Sequence, residues 1–211
     1  MDKDIAILLA WPETACKQAG AWYDPIMSAL NVNQNGYYKV GHAAIVLIDH
    51  TTGECHYFDF GRYHSPQGFG RVRNKETDHD LELSTCICFG INGEPTNLTS
   101  LLAELQENDA CHGDGELHAG LSSIDFEKAY CKAKEMQKRE FIPYGPFVKN
   151  GSNCSRFVQV AALSGMRLSL EKVGLMLPLT LTPTPKWNTR VTKRSLLKEL
   201  KKSESYETQI A

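Results

Sequence analysis

Gly151-Ser152-Asn153-Cys154-Ser155-Arg156-Phe157-Val158 is the segment of this chain best suited to covalent chemistry. A polar, glycine-containing loop leads into a cysteine, and Phe157, Val158, Ala161 and Ala162 follow at helical spacing. That spacing puts the thiol in the first turn of a helix, where unpaired amides and the helix dipole favour a thiolate. The same amides suit the oxyanion of a tetrahedral intermediate. A cysteine at a helix start also serves as a plain buried residue, so the segment alone leaves both roles open. Metal chemistry finds less support. Cys86 and Cys88 alternate on an expected strand, a poor substitute for the two-to-four-residue cysteine knuckle of a zinc site, and Cys111, His112 and His118 share a loop region. His50, His64 and His79 fall in turns or loops and are expected to face solvent. Gly68-Phe69-Gly70 is too short for a phosphate loop, and no dinucleotide fingerprint follows a strand. Neither a metal nor a cofactor is expected.

Pro143-Tyr144-Gly145, a short loop and then Asn-Cys-Ser-Arg-Phe-Val resemble the nucleophile segment of the NlpC-type papain-like cysteine peptidases. Their pattern is Pro-Tyr, a glycine-containing loop, then Asp-Cys-Ser-Gly and two apolar residues. The Asn-Cys pair is also similar to that of the lecithin–retinol acyltransferase-like enzymes. Asn153 stands in place of the Asp, and Arg156 in place of the Gly, where it narrows the cleft or adds a charged contact. In the ordinary arrangement of this superfamily a histidine strand follows the cysteine, yet His118 is the last histidine here. Gly41-His42-Ala43-Ala44-Ile45-Val46-Leu47 resembles the family's histidine strand. The order His then Cys is that of the circularly permuted branch.

The resemblance implies a permuted, papain-like α+β fold, an antiparallel sheet packed against the helix that bears Cys154. It implies attack of the Cys154 thiolate on an amide or ester carbonyl, with His42 taking the thiol proton and returning it to the leaving group. The acyl-enzyme is then resolved by water, as in a peptidase or amidase, or by a second nucleophile, as in a lipid or protein acyltransferase. A third reading keeps the fold as an inactive binding domain. Peptides, amides and acyl esters are the implied substrates. Tyr144 either hydrogen-bonds in the oxyanion region or packs, and Asn153 and Ser155 flank the same region.

The strands must position these groups. Ala43–Ile48 is a continuous apolar run, Asp49–Gly53 reads as a turn, and Cys55–Phe60 is aromatic-rich, which together predict a hairpin. A turn centred on Thr51–Thr52 pairs residues whose numbers sum to about 103, so His42 faces Gly61 and Asp59 lies one pleat along on the same face. Asp59 is then the acceptor for the imidazole N–H. A slipped register offers His56 instead. Aromatic residues from Tyr57 to Phe69 either line a cleft or fill the core.

Elsewhere, Ile5–Trp11 is a seven-residue apolar run that suits a strand. It is far short of the roughly 20 residues that cross a bilayer, and it lacks the flanks of a signal peptide, so a cytoplasmic setting is expected. Thr14–Leu30 reads as a helix interrupted at Pro25, and Asp80–Phe89 as a strand. Leu98, Leu101, Leu102 and Leu105 give Asn97–Gln106 an amphipathic helical pattern, and Glu116–Leu121 suits a short strand. Ser123 is the expected cap of a helix from Ile124 to Arg139, and Gly165 the stop of a helix from Asn153 to Leu163. The stretch through Pro178, Pro183 and Pro185 is expected to be irregular or an edge strand.

One domain is expected over residues 1–190, followed by a tail over 191–211. Six of the residues from Arg190 to Lys202 are basic and one, Glu199, is acidic, which reads as a solvated helix or frayed end. Membrane contact is not expected. The whole chain has 211 residues, 42% of them hydrophobic, and a formal charge of −2, which excludes wholesale disorder and the basic footprint of a nucleic-acid binder. Seven cysteines in a chain this long point to reduced thiols, most of them buried.

Overall fold

The run Ile5–Trp11 lies at the centre of the protein. The computed structural model of the chain describes residues 4–17, 33–34, 37–178, 183–192 and 194–195. β1 (Asp4–Trp11) is flanked by β5 (His42–Ile48) and β8 (His118–Ile124), both antiparallel to it. Beyond β5 come β6 (Cys55–Gly61), β7 (Phe69–Arg73) and the short β9 (Ile142–Pro143). β10 (Arg194–Ser195) adds to β8 on the other edge, which completes a seven-stranded sheet. A separate small sheet joins β2 (Ala15–Lys17), β4 (Tyr37–Lys39) and β3 (Asn33–Gln34).

Both faces of the large sheet are covered, so its inner strands are apolar throughout rather than alternating. Ala6, Leu8, Ala43, Ile45, Phe58 and Phe60 pack on α2 (Phe126–Gln137) and on α3 (Cys154–Gly165), through Ala133, Met136, Phe157, Val158 and Ala161. Ile7, Leu9, Val46, Ile48 and Tyr57 point the other way, onto Leu98, Leu101, Leu102 and Leu105 of α1 (Leu98–Glu107). This is a papain-like α+β arrangement, with a strand that begins at a histidine and a packed helix that begins at a cysteine. Among the described residues no helix is long and apolar enough to cross a membrane.

Leu102 is fully buried and Thr99 is exposed on the same helix. Leu102→Ala should destabilise the protein by about 2–5 kcal/mol and Thr99→Ala by less than about 0.5 kcal/mol. Urea unfolding measures the difference; equal midpoints would contradict the placement of α1 as one wall of the core.

Several expectations are corrected. Where a helix was expected from Thr14, residues 15–17 form β2 and pair with β4, Cys16 opposite Tyr38. The rest of that expected helix, residues 18–30 with Pro25, lies outside the described residues. Asp80–Phe89 is not a strand. It opens with a 3-10 turn (His79–Leu81), and its amides then find other acceptors: Ser84 and Thr85 donate to the Glu104 carboxylate, Ile87 to the Gly53 carbonyl and Cys88 to Asn97 Oδ1. Side-chain acceptors from α1 and its cap take the place of a neighbouring strand. Ser123 belongs to β8, and Asp125 caps α2 by accepting from the Lys128 amide at 3.1 Å.

Gly165 closes α3 through close approach, because a Cβ there would meet the Asp125 carbonyl oxygen at 2.6 Å. The proline-rich stretch holds two short helices, α4 (Leu170–Met176), capped by Ser169, and α5 (Pro185–Arg190), capped by Thr184. Pro185 sits in the first turn of α5, where its missing N–H costs nothing. β10 carries the sheet beyond residue 190, and the expected tail from residue 196 onward lies outside the described residues.

Candidate active site

The hairpin that carries the histidine is set by its turn. The Gly53 amide donates to the Asp49 carbonyl at 2.8 Å and the Thr51 amide to Asp49 Oδ1 at 2.8 Å. Ala44 then pairs with Asp59, Val46 with Tyr57 and Ile48 with Cys55, which is the register that puts His42 and Asp59 on one face. Gly41 bends the chain into β5 at φ +76°, and a Cβ there would lie 2.9 Å from the Trp11 carbonyl oxygen, so glycine is required. The Trp11 ring stacks on the imidazole at 6.0 Å. His42 Nε2 meets Asp59 Oδ2 at 3.1 Å, and both side chains are buried. His56 is on the opposite face of β6, against the rings of Phe126 and Tyr130, and does not reach His42.

Asp59 has three partners. Besides His42, the Tyr57 hydroxyl donates to Oδ2 at 3.1 Å, and Arg73 donates from Nε to Oδ1 at 2.9 Å and from Nη2 to Oδ2. Burial pushes the Asp59 carboxyl up, but the hydrogen bond from His42 and the Arg73 charge outweigh it and hold the group at about 2. Burial likewise opposes the imidazolium, yet hydrogen bonds with Asp59 and Cys154 raise His42 to about 9. The stability that His42 contributes is therefore complete below its ordinary 6.5 and lost as pH rises through about 9. That of Asp59 is complete above 3.8 and lost as pH falls toward 2.

Cys154 is delivered by a braced loop. Tyr144 and Ser152 form a parallel bridge, and the Gly145 amide donates to the Ser152 carbonyl at 2.9 Å. Asn153 Oδ1 caps α3 by accepting from the Arg156 amide at 2.8 Å. Arg156 points away from the cleft and donates to the carbonyls of Gly151 at 3.1 Å and Pro146 at 2.8 Å, so it ties the loop together. The sulfur meets the imidazole of His42 and the Ala43 amide, and Ser155 Oγ is 3.9 Å away. With Nε2 committed to Asp59, Nδ1 is the ring nitrogen left for the thiol. Burial raises the thiol, but the His42 hydrogen bond and charge dominate and lower it below its ordinary value.

A cleft of about 370 Å³ opens beside the histidine, lined by Cys16, His42, Phe60, Arg62, Tyr63 and Tyr144 among others. The aromatic segment thus serves both ends, with Phe58 in the core and Tyr63 at the cleft. Tyr144 stacks on Phe60 at 5.8 Å, and the Arg62 guanidinium sits 5.1 Å from its ring centre. Ser155 is buried, and its carbonyl accepts from Asn188 Nδ2 at 2.9 Å. Of the other histidines, His64 and His79 are exposed, while His50 is half-buried against the Phe89 ring at 4.3 Å rather than facing solvent.

Three neighbours of the site escaped sequence reasoning. Arg73 falls between the expected hairpin and the expected strand from Asp80, where no element is expected, although the alternating Arg71-Val72-Arg73 marks a strand. Cys16 lay in the expected helix. Asn188, which braces the first turn of α3 from α5, carries no local signal at all.

A family model described as type VI secretion system effector TseH-like matches residues 6–169. The crystal structure of the type VI secretion system effector TseH is similar at a TM-score of 0.50 and 22% identity, over 75% of this chain and 74% of that one. At that identity the likeness speaks for the fold. No curated protein matches.

Proposed function

The chain belongs to the TseH-like family of type VI secretion system effectors, and from that premise we propose that it is a cysteine hydrolase acting on an amide or ester. One observation carries the reading. A helix-start thiol stands beside the imidazole of His42, whose Nε2 is held by a buried carboxylate. His42 takes the thiol proton, and Asp59 stabilises the imidazolium that results. The thiolate attacks the carbonyl, and the oxyanion falls to main-chain amides at the start of α3. His42 then gives its proton to the leaving amine or alcohol. Water, losing its proton to His42, attacks the acyl-enzyme, releases the acid and frees the thiol. Tyr144 forms a wall of the cleft.

The order His42 before Cys154 supports placement in the circularly permuted NlpC branch. Arg156, a departure from the family's glycine that would suit an inactive binding domain, ties its guanidinium to the carbonyls of the loop, which supports the active reading. The substrates in this reading are peptides or acyl esters, and the reduced thiol that the reaction needs suits a reducing compartment such as the cytoplasm.

Alkylation by iodoacetamide, followed by intact mass from pH 4 to 9, tests the proposal without knowledge of the substrate. One site, Cys154, should label fast, with a midpoint below the roughly 8.5 of a free thiol. Cys16, Cys55 and Cys111 should stay slow, since burial pushes each up to about 12. Cys154 labelling no faster than these, or with an ordinary midpoint, would defeat the reading.

A further inference from the structure

We propose that Arg73 is a positioning residue for this reaction, keeping the Asp59 carboxylate charged and turned so that Oδ2 faces His42. The inference rests on the cysteine-hydrolase reading of the site.

Arg73 stands directly opposite Asp59 in the β6–β7 register, so its side chain starts on the same face, one strand further from His42. Its planar fork takes both oxygens of the carboxylate, Nε on Oδ1 at 2.9 Å and Nη2 on Oδ2. One hydrogen bond from His42 would leave the carboxylate free to turn about its Cβ–Cγ bond. Two parallel bonds from a rigid guanidinium fix its plane. The guanidinium is itself held on other sides. Nη2 also donates to the Ala110 carbonyl at 3.2 Å, and the flat of the group lies 4.1 Å from the centre of the Tyr63 ring. Tyr63 in turn stacks on His112 at 4.2 Å and 17°. The chain of contact runs from the loop at 109–112 through Arg73 and Asp59 to the imidazole.

Charge makes the arrangement more than a brace. The groups that face Asp59 are His42 from β5, Tyr57 from its own strand, Arg73 from β7, and Tyr63, Cys111 and His112 from the loops above. Of these only Arg73 is positive at every pH the protein meets. A fully buried carboxylate without such a partner takes up a proton. A protonated Asp59 would no longer favour the imidazolium, and Cys154 would regain its proton at neutral pH. A lysine could supply the charge but not the fork.

The test compares wild type, Arg73→Met and Arg73→Lys in the full chain. The rate of Cys154 alkylation by iodoacetamide is followed against pH, with thermal melts alongside. Arg73→Met should move the acid limb up by about one pH unit and so slow labelling by about tenfold at pH values below the wild-type midpoint, the size of a one-unit change in thiolate stability. Arg73→Lys should restore the limb to within about 0.3 units while its plateau stays severalfold below wild type. If both variants keep the wild-type limb and plateau and only melt earlier, Arg73 is structural and the inference falls. Should Arg73→Met not fold, Arg73→Lys decides alone, since a wild-type limb and plateau in that variant also overturns it. A wild-type protein without a fast site defeats the hydrolase reading instead, so the two failures are distinct.

Discussion

Cys154→Ala should form no acyl-enzyme, and His42→Ala should form it about 10²–10⁴ times more slowly than wild type at neutral pH. An activated acyl ester supplies the readout, because its leaving group needs no proton and a rapid acid quench catches the acyl mass on the protein before water removes it. In wild type the added mass should map to Cys154, one acyl group per chain. His42→Ala should recover rate only at a pH well above the ordinary thiol range, because burial then raises Cys154 with no imidazole to oppose it, whereas Cys154→Ala should not recover at any pH. That pattern separates loss of the base from loss of the nucleophile. Acyl mass that persists in Cys154→Ala, or a His42→Ala rate equal to wild type at pH 7, would mean that another residue does the chemistry.

In the proposed reaction the same pair of groups should give turnover a bell-shaped pH profile. The acid limb follows ionisation of Cys154, which the imidazole lowers. The alkaline limb follows loss of the imidazolium near pH 9, since an amide leaving group needs its proton. Alkylation needs only the thiolate, so it should show the acid limb and no alkaline fall.

The site was legible to the extent that its information is local. The Asp49–Gly53 turn fixes the hairpin register by itself, and register alone decides that Asp59, and not His56, shares a face with His42. The helix start at Cys154 is equally local, with its cap at Asn153 and its apolar face at Phe157, Val158 and Ala161. The misreadings share a different cause. Residues 82–88 alternate like a strand, but a strand needs a partner, and here Glu104 of α1 and Asn97 just before it claim amides of the segment. Cys16 was assigned to a helix because nothing near it announces that Tyr38 would pair with it. Arg73 meets Asp59 only after two strands have aligned, 14 positions apart. Propensity sees neighbours in sequence, and these contacts are neighbours in space.

Asp59 is where the proposed catalysis and the stability of the fold meet, and the two can be pulled apart. Asp59→Leu strands the Arg73 guanidinium, buried and without its carboxylate, and should destabilise the fold by about 3–5 kcal/mol. Asp59→Leu with Arg73→Met removes both charges together, and part of that loss should return, because no buried charge is left without a partner even though the Tyr57 hydroxyl and His42 Nε2 still lose their acceptor. Activity should not return with it. Without the carboxylate, Nε2 of His42 loses its acceptor, the imidazolium loses its counter-charge, and the raised His42 value falls back toward or below 6.5. The thiolate then appears only at a higher pH, so the acid limb of Cys154 labelling moves up in the double variant as it does in the single one. Urea melts and labelling profiles on the two proteins supply the measurement. A double variant no more stable than Asp59→Leu would show that the pair is not the tightly coupled unit its geometry describes. A double variant that labels like wild type would show that His42 works without Asp59, and the site would then be a dyad.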